Sequence, residues 1–287
     1  MKSSKTHLLS KLEAKALIPS RSSDAHKGTF GSVAIIGGDN GMVGAVLLAA
    51  RAALHSGAGR IYAAMLSKNA PVVDLFQPEI MLRSTDAIPT LAQLDCVVIG
   101  TGLGQSDAAA ALLEFWLARN VPLLLDADAL NLMAHHPHLA ASVAKRQTAT
   151  VVTPHVGEAA RLLAKPSAEI QNERVNYALN IAAALHVTCV LKGERTVIAH
   201  QDGQYCINQT GNVGLASGGT GDVLSGMIGS FIAQGLSGLD AAKLGVYVHG
   251  AAADSLVKSG VGPIGLTASE VILEARNVVN QLSKKSV

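Results

Sequence analysis

From residue 32 onward, short runs of β-branched and aliphatic residues alternate with longer segments of helical period. That alternation predicts a mostly parallel sheet covered by helices on both faces. The runs Ser32 to Ile36, Arg60 to Leu66, Asp95 to Ile99, Pro122 to Leu125, Thr150 to Val152 and Val187 to Leu191 are nearly all apolar, as strands buried on both sides must be. Helical periods fall at 43–57, 107–119, 128–135, 156–164, 168–185, 221–234, 239–258 and 267–283. Ser106 precedes one of them as a cap, and Thr267 and Glu270 have the capping-box spacing. After Lys192 the pattern changes. Thr196 to Ala199 and Gln204 to Ile207 flank an Asp202-Gly203 turn, which predicts an antiparallel hairpin closing the sheet.

Composition narrows the function classes. Hydrophobic residues make up 49% of the 287 and charged residues 15%, a surplus of apolar side chain that a large core, a subunit interface or both must absorb. No apolar run approaches the roughly 18 residues of a membrane span. A formal charge of +2 without a Lys/Arg block argues against a nucleic-acid partner. Met1 to Ser10 lacks the apolar segment of a secretory leader, which points to the cytoplasm. Cys96, Cys189 and Cys206 are odd in number and sit in apolar runs, as inert core thiols do. The Ser/Lys-rich residues 1–26, interrupted by Pro19, read as an N-terminal arm that packs on a neighbouring subunit, and 27–287 as one domain.

The segment richest in chemistry is Gly218-Gly219-Thr220-Gly221-Asp222, followed by the apolar run Val223 to Ile232. Glycines let the backbone turn tightly and aim several N–H groups at one point, where the next helix adds its positive end. A phosphoryl group fits that anion hole. A carboxylate at Asp222 then stands where it can take a proton from an attacking hydroxyl. The plainer alternative is close packing by the glycines with Asp222 as a helix cap. Neither a Walker loop nor a dinucleotide fingerprint is present, because Gly100-Thr101-Gly102-Leu103-Gly104 lacks the required spacing.

Gly218 to Gly226 resembles the signature of the ADP-dependent NAD(P)H-hydrate dehydratases, within the ribokinase-like superfamily. Lys27 to Gly31, Gly37-Gly38, Met42 to Ala45, Gly57 to Gly59, Gly102 to Gly104, Asp126 to Asn131, Thr153 to Glu158 and Lys192-Gly193 follow in the family's order, covering residues 27 to about 270. Val43, Thr101 and Val213 depart from it, standing where the family often has proline. The resemblance implies a three-layer α/β/α sandwich. It also implies dehydration of hydrated NADH or NADPH at the expense of ADP, by phosphorylation of the ring hydroxyl and loss of phosphate, with AMP released. It places the damaged nucleotide against Ala45, Gly104, His155 and Asp222, with Asp222 as base. The donor, ADP or ATP, falls to Lys192, Gly193, Glu194, Arg195, Thr196 and Gly221. A homotetramer is implied too. So is a separate NAD(P)H-hydrate epimerase, since no second domain is read before residue 27.

Other polar residues admit two readings. Glu158 is either a magnesium ligand, direct or through water, or a first-turn acid favoured by the helix dipole. Asp126 and Asp128 compete for the same metal, or cap the helix near Ala129. Lys192 is a phosphate contact or a solvated strand end. His249 and Asp254 read as a packed histidine and a surface acid, and the cluster of His135, His136 and His138 around Pro137 lacks the partners of a metal site. The rival functions are a small-molecule hydroxyl kinase of the same superfamily, acting on a thiazole or pyrimidine, and a non-catalytic adenine-nucleotide sensor.

Overall fold

The structure is a computed structural model describing residues 7–284. Its centre is a nine-stranded sheet in the order β3-β2-β1-β4-β5-β6-β7-β8-β9. The strands are β1 (Ser32–Gly37), β2 (Arg60–Met65), β3 (Met81–Arg83), β4 (Cys96–Ile99), β5 (Leu123–Leu125), β6 (Thr150–Val152), β7 (Thr188–Leu191), β8 (Val197–His200) and β9 (Tyr205–Ile207). Pairing is parallel from β3 through β7, and β8 and β9 close the edge antiparallel. The expected hairpin is therefore present.

Successive residues on a strand face opposite sides. On β1, Val33 and Ile35 enter one apolar layer while Ala34 and Ile36 enter the other. The first layer is covered by α2 (Val43–His55), α9 (Thr220–Ala233), α10 (Gly238–Lys258) and α11 (Ala268–Ser283). The second lies under α3 (Asp107–Leu117), α4 (Asp128–His135), α5 (Pro137–Ala144), α6 (Val156–Leu163), α7 (Ser167–Asn172) and α8 (Arg174–Leu185). Burial on both faces accounts for the monotony of the strand sequences. Helix α9 lies unusually close to α2, because a Cβ at Gly226 would come within 2.0 Å of the Ala49 carbonyl oxygen. That close contact fixes the height of the first turn of α9, and with it Asp222, above the sheet.

Several boundaries differ from expectation. β3 is only three residues long and too short to show a period. The predicted helix 168–185 is two helices, broken at Glu173, whose φ of −128° and ψ of 44° leave helical geometry. A further helix not expected from the sequence, α5, opens at Pro137, since proline suits a first helical position. The N-terminal arm is packed in cis where it is described: α1 (Lys11–Ala16) has a Ser10–Glu13 capping box, Leu9 and Ala14 are buried, and Leu8 bridges to Ile207 on β9. Residues 1–6 of that arm lie outside the described residues.

Candidate active site

The chain from Gly211 to Asp222 is built by its own side chains. The Asn212 side-chain oxygen accepts the Gly214 amide at 3.0 Å and starts a short 3-10 turn over Val213–Leu215. Thr220 Oγ donates to the carbonyls of Leu215 and Ser217, 2.7 and 2.9 Å away. Gly219, at φ +89°, turns the chain into α9, a conformation that strains any residue with a Cβ. Asp222 is in the first turn of α9 and does not cap it: Gly219 occupies that position and no side chain does the capping. First-turn amides have no carbonyl acceptor within their own helix, so this turn presents donors to an anion.

Lys192 reaches the same point from the end of β7. Its ammonium donates to Asp126 Oδ1 at 2.8 Å and lies 3.9 Å from Glu158 Oε2. A Cβ on Gly221 would stand 3.5 Å from Lys192 Nζ, so the cation adjoins the glycine turn. The second oxygen of Asp126 accepts from Ser225 Oγ at 2.7 Å. Both carboxylate oxygens of this buried acid are thus occupied, and Asp126 does not cap α4. Asp128 does not cap it either; Ala127 holds the capping position, and Asp128 accepts the Gly104 amide at 2.9 Å.

Electrostatics follow from this crowding. Burial, and then the charge of Asp126, push the Asp222 carboxyl up to about 7, against the pull of Lys192. Burial raises Glu158 as well, with Asp126 adding to the effect. For Lys192, burial alone would lower the pKa. The charges of Asp126 and Glu158 and the hydrogen bond to Asp126 outweigh it and hold the ammonium above its ordinary range. His155 caps α6 through Nδ1, which accepts the amides of Gly157 and Glu158 at 2.9 and 3.3 Å. Its proton is therefore on Nε2, which faces Glu158 Oε1 at 3.3 Å. Burial, then the cation of Lys192, keeps that imidazole below its usual pKa.

The residues expected from sequence occupy the carboxyl ends of the strands. Ala45 lies in the first turn of α2, where a Cβ on Gly102 would meet its own at 3.2 Å. Gly104 follows β4 with φ +75°, His155 follows β6, and Asp222 stands above the centre of the sheet beside Lys192. Lys192 to Thr196 and Gly221 together line a cavity of about 630 Å³. Arg174 on α8 braces that turn, donating to the carbonyls of Leu191 (2.9 Å) and Glu194.

Two contributors escaped the sequence reading. Ser225 lies one turn beyond Asp222 on α9, and its hydroxyl in an otherwise apolar run was the available signal. Asp254 is not a surface acid: its oxygens accept the Gly211 amide at 2.8 Å and the Asn212 side chain at 3.0 Å. Its partners lie 42 and 43 residues away, so no local pattern marks it. His249 is packed as expected, its burial lowering it to about 4. Among the described residues no group of three or more His, Cys, Asp or Glu forms a metal cluster, the histidines around Pro137 included.

Comparison with known proteins identifies the family and the fold. The family model for NAD(P)H-hydrate dehydratase matches residues 33–274. The ADP-dependent (S)-NAD(P)H-hydrate dehydratase of Neisseria meningitidis serogroup B is 40% identical, over 92% of this chain and 90% of that protein. A bifunctional NAD(P)H-hydrate repair enzyme of Coxiella burnetii is 41% identical over 92% of this chain, but the match spans only 53% of that longer protein. The structure of ADP/ATP-dependent NAD(P)H-hydrate dehydratase from Bacillus subtilis, co-crystallised with ATP/Mg²⁺, superposes with a TM-score of 0.88 at 32% identity, covering 98% of this chain and all of that one.

Proposed function

Because this chain belongs to the NAD(P)H-hydrate dehydratase family, we propose that Asp222 is the base with which it carries out the nucleotide-dependent dehydration of hydrated NADH and NADPH. The observation carrying this reading is that Asp222 interacts with Lys192 at the first turn of α9, whose Thr220 and Gly221 line the cavity together with that lysine. A carboxyl held near neutrality is matched to deprotonating an alcohol at physiological pH.

Asp222 takes the proton of the ring hydroxyl as its oxygen attacks the β-phosphorus of ADP, and AMP departs. Lys192 and the first-turn amides of α9 stabilise the charge that builds on the transferring group. The phosphate ester then breaks at its carbon–oxygen bond. Phosphate leaves with the bonding electrons, a ring proton is lost, and the double bond returns. Phosphorylation serves to turn hydroxide, a poor leaving group, into a good one. Ala45, Gly104 and His155 hold the damaged nucleotide, and Lys192 to Thr196 with Gly221 hold the donor.

The acids here suit magnesium. Asp126, Asp128 and Glu158 all act on Asp222, with Lys192 as the nearby ammonium, a surplus of negative charge that a divalent cation offsets. Both Glu158 oxygens already face His155, so Glu158 would hold the ion through water together with the donor phosphates. Bound there, magnesium supplies charge neutralisation on the phosphates.

Relatives called bifunctional carry this region as about half of a longer chain; we infer that an NAD(P)H-hydrate epimerase acts on the same substrate pool. The cytoplasm is the proposed location, and no helix among the described residues is long and apolar enough to cross a membrane. The proposed assembly is a homotetramer, consistent with the exposed apolar residues Val72, Leu75 and Phe76, and light scattering returning a monomer would overturn it.

The test is recovery of dihydropyridine absorbance from hydrated NADH with ADP or ATP and magnesium. Recovery that needs the nucleotide and disappears in Asp222→Asn supports the reading. No recovery with either nucleotide shifts it to a kinase or a nucleotide sensor.

A further inference from the structure

Helix α10 packs behind the donor cavity, and one of its faces ties down the segment that lines it. The Tyr247 carbonyl accepts from Thr210 Oγ at 3.0 Å. At Gly250 the loop comes so near that a Cβ would stand 2.3 Å from Thr210 Oγ. One turn further, Asp254 accepts both the Gly211 amide and the Asn212 side-chain amide. That second bond fixes which way the Asn212 amide points. With its nitrogen given to Asp254, its oxygen faces Gly214 and starts the 3-10 turn. The turn delivers the Leu215 carbonyl to Thr220 Oγ, at the start of α9. It also holds Val213 74% exposed at the cavity, an apolar side chain kept in water with no core to enter. An exposed aliphatic group beside polar backbone suits the face of a heteroaromatic base.

We infer that Asp254 is a positioning residue for the nucleotide donor: through Asn212 it sets the 211–216 wall of the cavity against a purine base. The role follows from the chain of bonds. Without the carboxylate, the Gly211 amide loses its acceptor and the Asn212 amide is free to rotate, so the wall is no longer preorganised before the nucleotide arrives. Asp254 touches neither reacting group, and the barrier to phosphoryl transfer is set elsewhere. The inference rests on the cavity being the donor site.

The experiment compares Asp254→Ala, Asn212→Ala and the double variant with the wild type. Steady-state kinetics are run with ADP and hydrated NADH varied in turn, and ADP binding is measured by calorimetry without the hydrated substrate. Asp254→Ala should raise KM for ADP about tenfold and weaken ADP binding alike. It should leave KM for the hydrate unchanged and kcat within about threefold. The double variant should be no worse than the worse single one, because both act through one link. Unaltered ADP binding, equal rises in both KM values, or additive losses would overturn the inference. Should Asp254→Ala fail to fold, Asn212→Ala decides alone by the same comparison. A wild type that binds ADP but restores no absorbance would sink the dehydratase reading, and the binding series would still judge Asp254. A wild type that binds no ADP overturns both.

Discussion

Two cationic side chains sit at opposite ends of the same parallel strands, and they are held by opposite means. At the carboxyl ends, Lys192 is surrounded by acids: it donates to Asp126, lies near Glu158 and acts on Asp222. At the amino ends, Arg146 donates to the neutral carbonyls of Leu117, Arg119 and Val121 at 2.6, 2.9 and 2.5 Å, and to the hydroxyls of Thr148 and Thr150. Neutral acceptors satisfy a cation without coupling it to any titration, so Arg146 is a joint between α3, β5 and β6. Clustered acids leave a charge imbalance. Burial, and then the same imbalance, raise Asp222 and make it useful as a base.

The sharpest break of this comparison is Asp222→Asn, which should lower turnover about a thousandfold. The same change should stabilise the protein. The folded pKa of Asp222 lies above that of an unfolded aspartate, so its contribution to stability is full below about 4 and is lost as pH rises through about 7. Melting curves should therefore show the variant gaining over wild type in mildly alkaline buffer and losing that advantage in acid. Lys192→Met comes next, with kcat/KM falling about a hundredfold. Because Lys192 opposes the rise at Asp222, its removal should also move the pH midpoint of activity upward.

Arg146→Met should do the reverse. Denaturant titration should show a loss of about 3 kcal/mol as several carbonyls lose their donor, with kcat/KM within about twofold of wild type. A large kinetic defect there would erase the distinction between the two ends. The smallest effect is expected at Ser225→Ala. Asp126 keeps Lys192 and loses one hydroxyl, which should cost about 1 kcal/mol of stability and a few-fold in kcat/KM.

Much of the fold was legible because burial on both faces writes itself into the strands: Thr150–Val152 was found to the residue, and most other strands to within one residue at each end. What failed was short or locally ambiguous. β3 is three residues, two half-buried and Arg83 exposed, and the break at Glu173 leaves no glycine or proline to announce it. In the site, Asp222 and the glycines were legible since turn chemistry is local. Asp126 could be named but not assigned, because its partners Lys192 and Ser225 lie 66 and 99 residues away. Asp254 was misread for the same reason, its helix pattern being that of any solvent-facing acid.

The most direct test of the account is the pH dependence of kcat/KM for hydrated NADH at saturating ADP, which reports the ionisation of the base in the enzyme–ADP complex before the hydrate binds. A rise through a single step centred near 7, displaced upward in Lys192→Met, is the predicted result. A profile that stays flat through that interval in the wild type would contradict it, since Asp222 would then be either an ordinary, already ionised carboxylate or not the base.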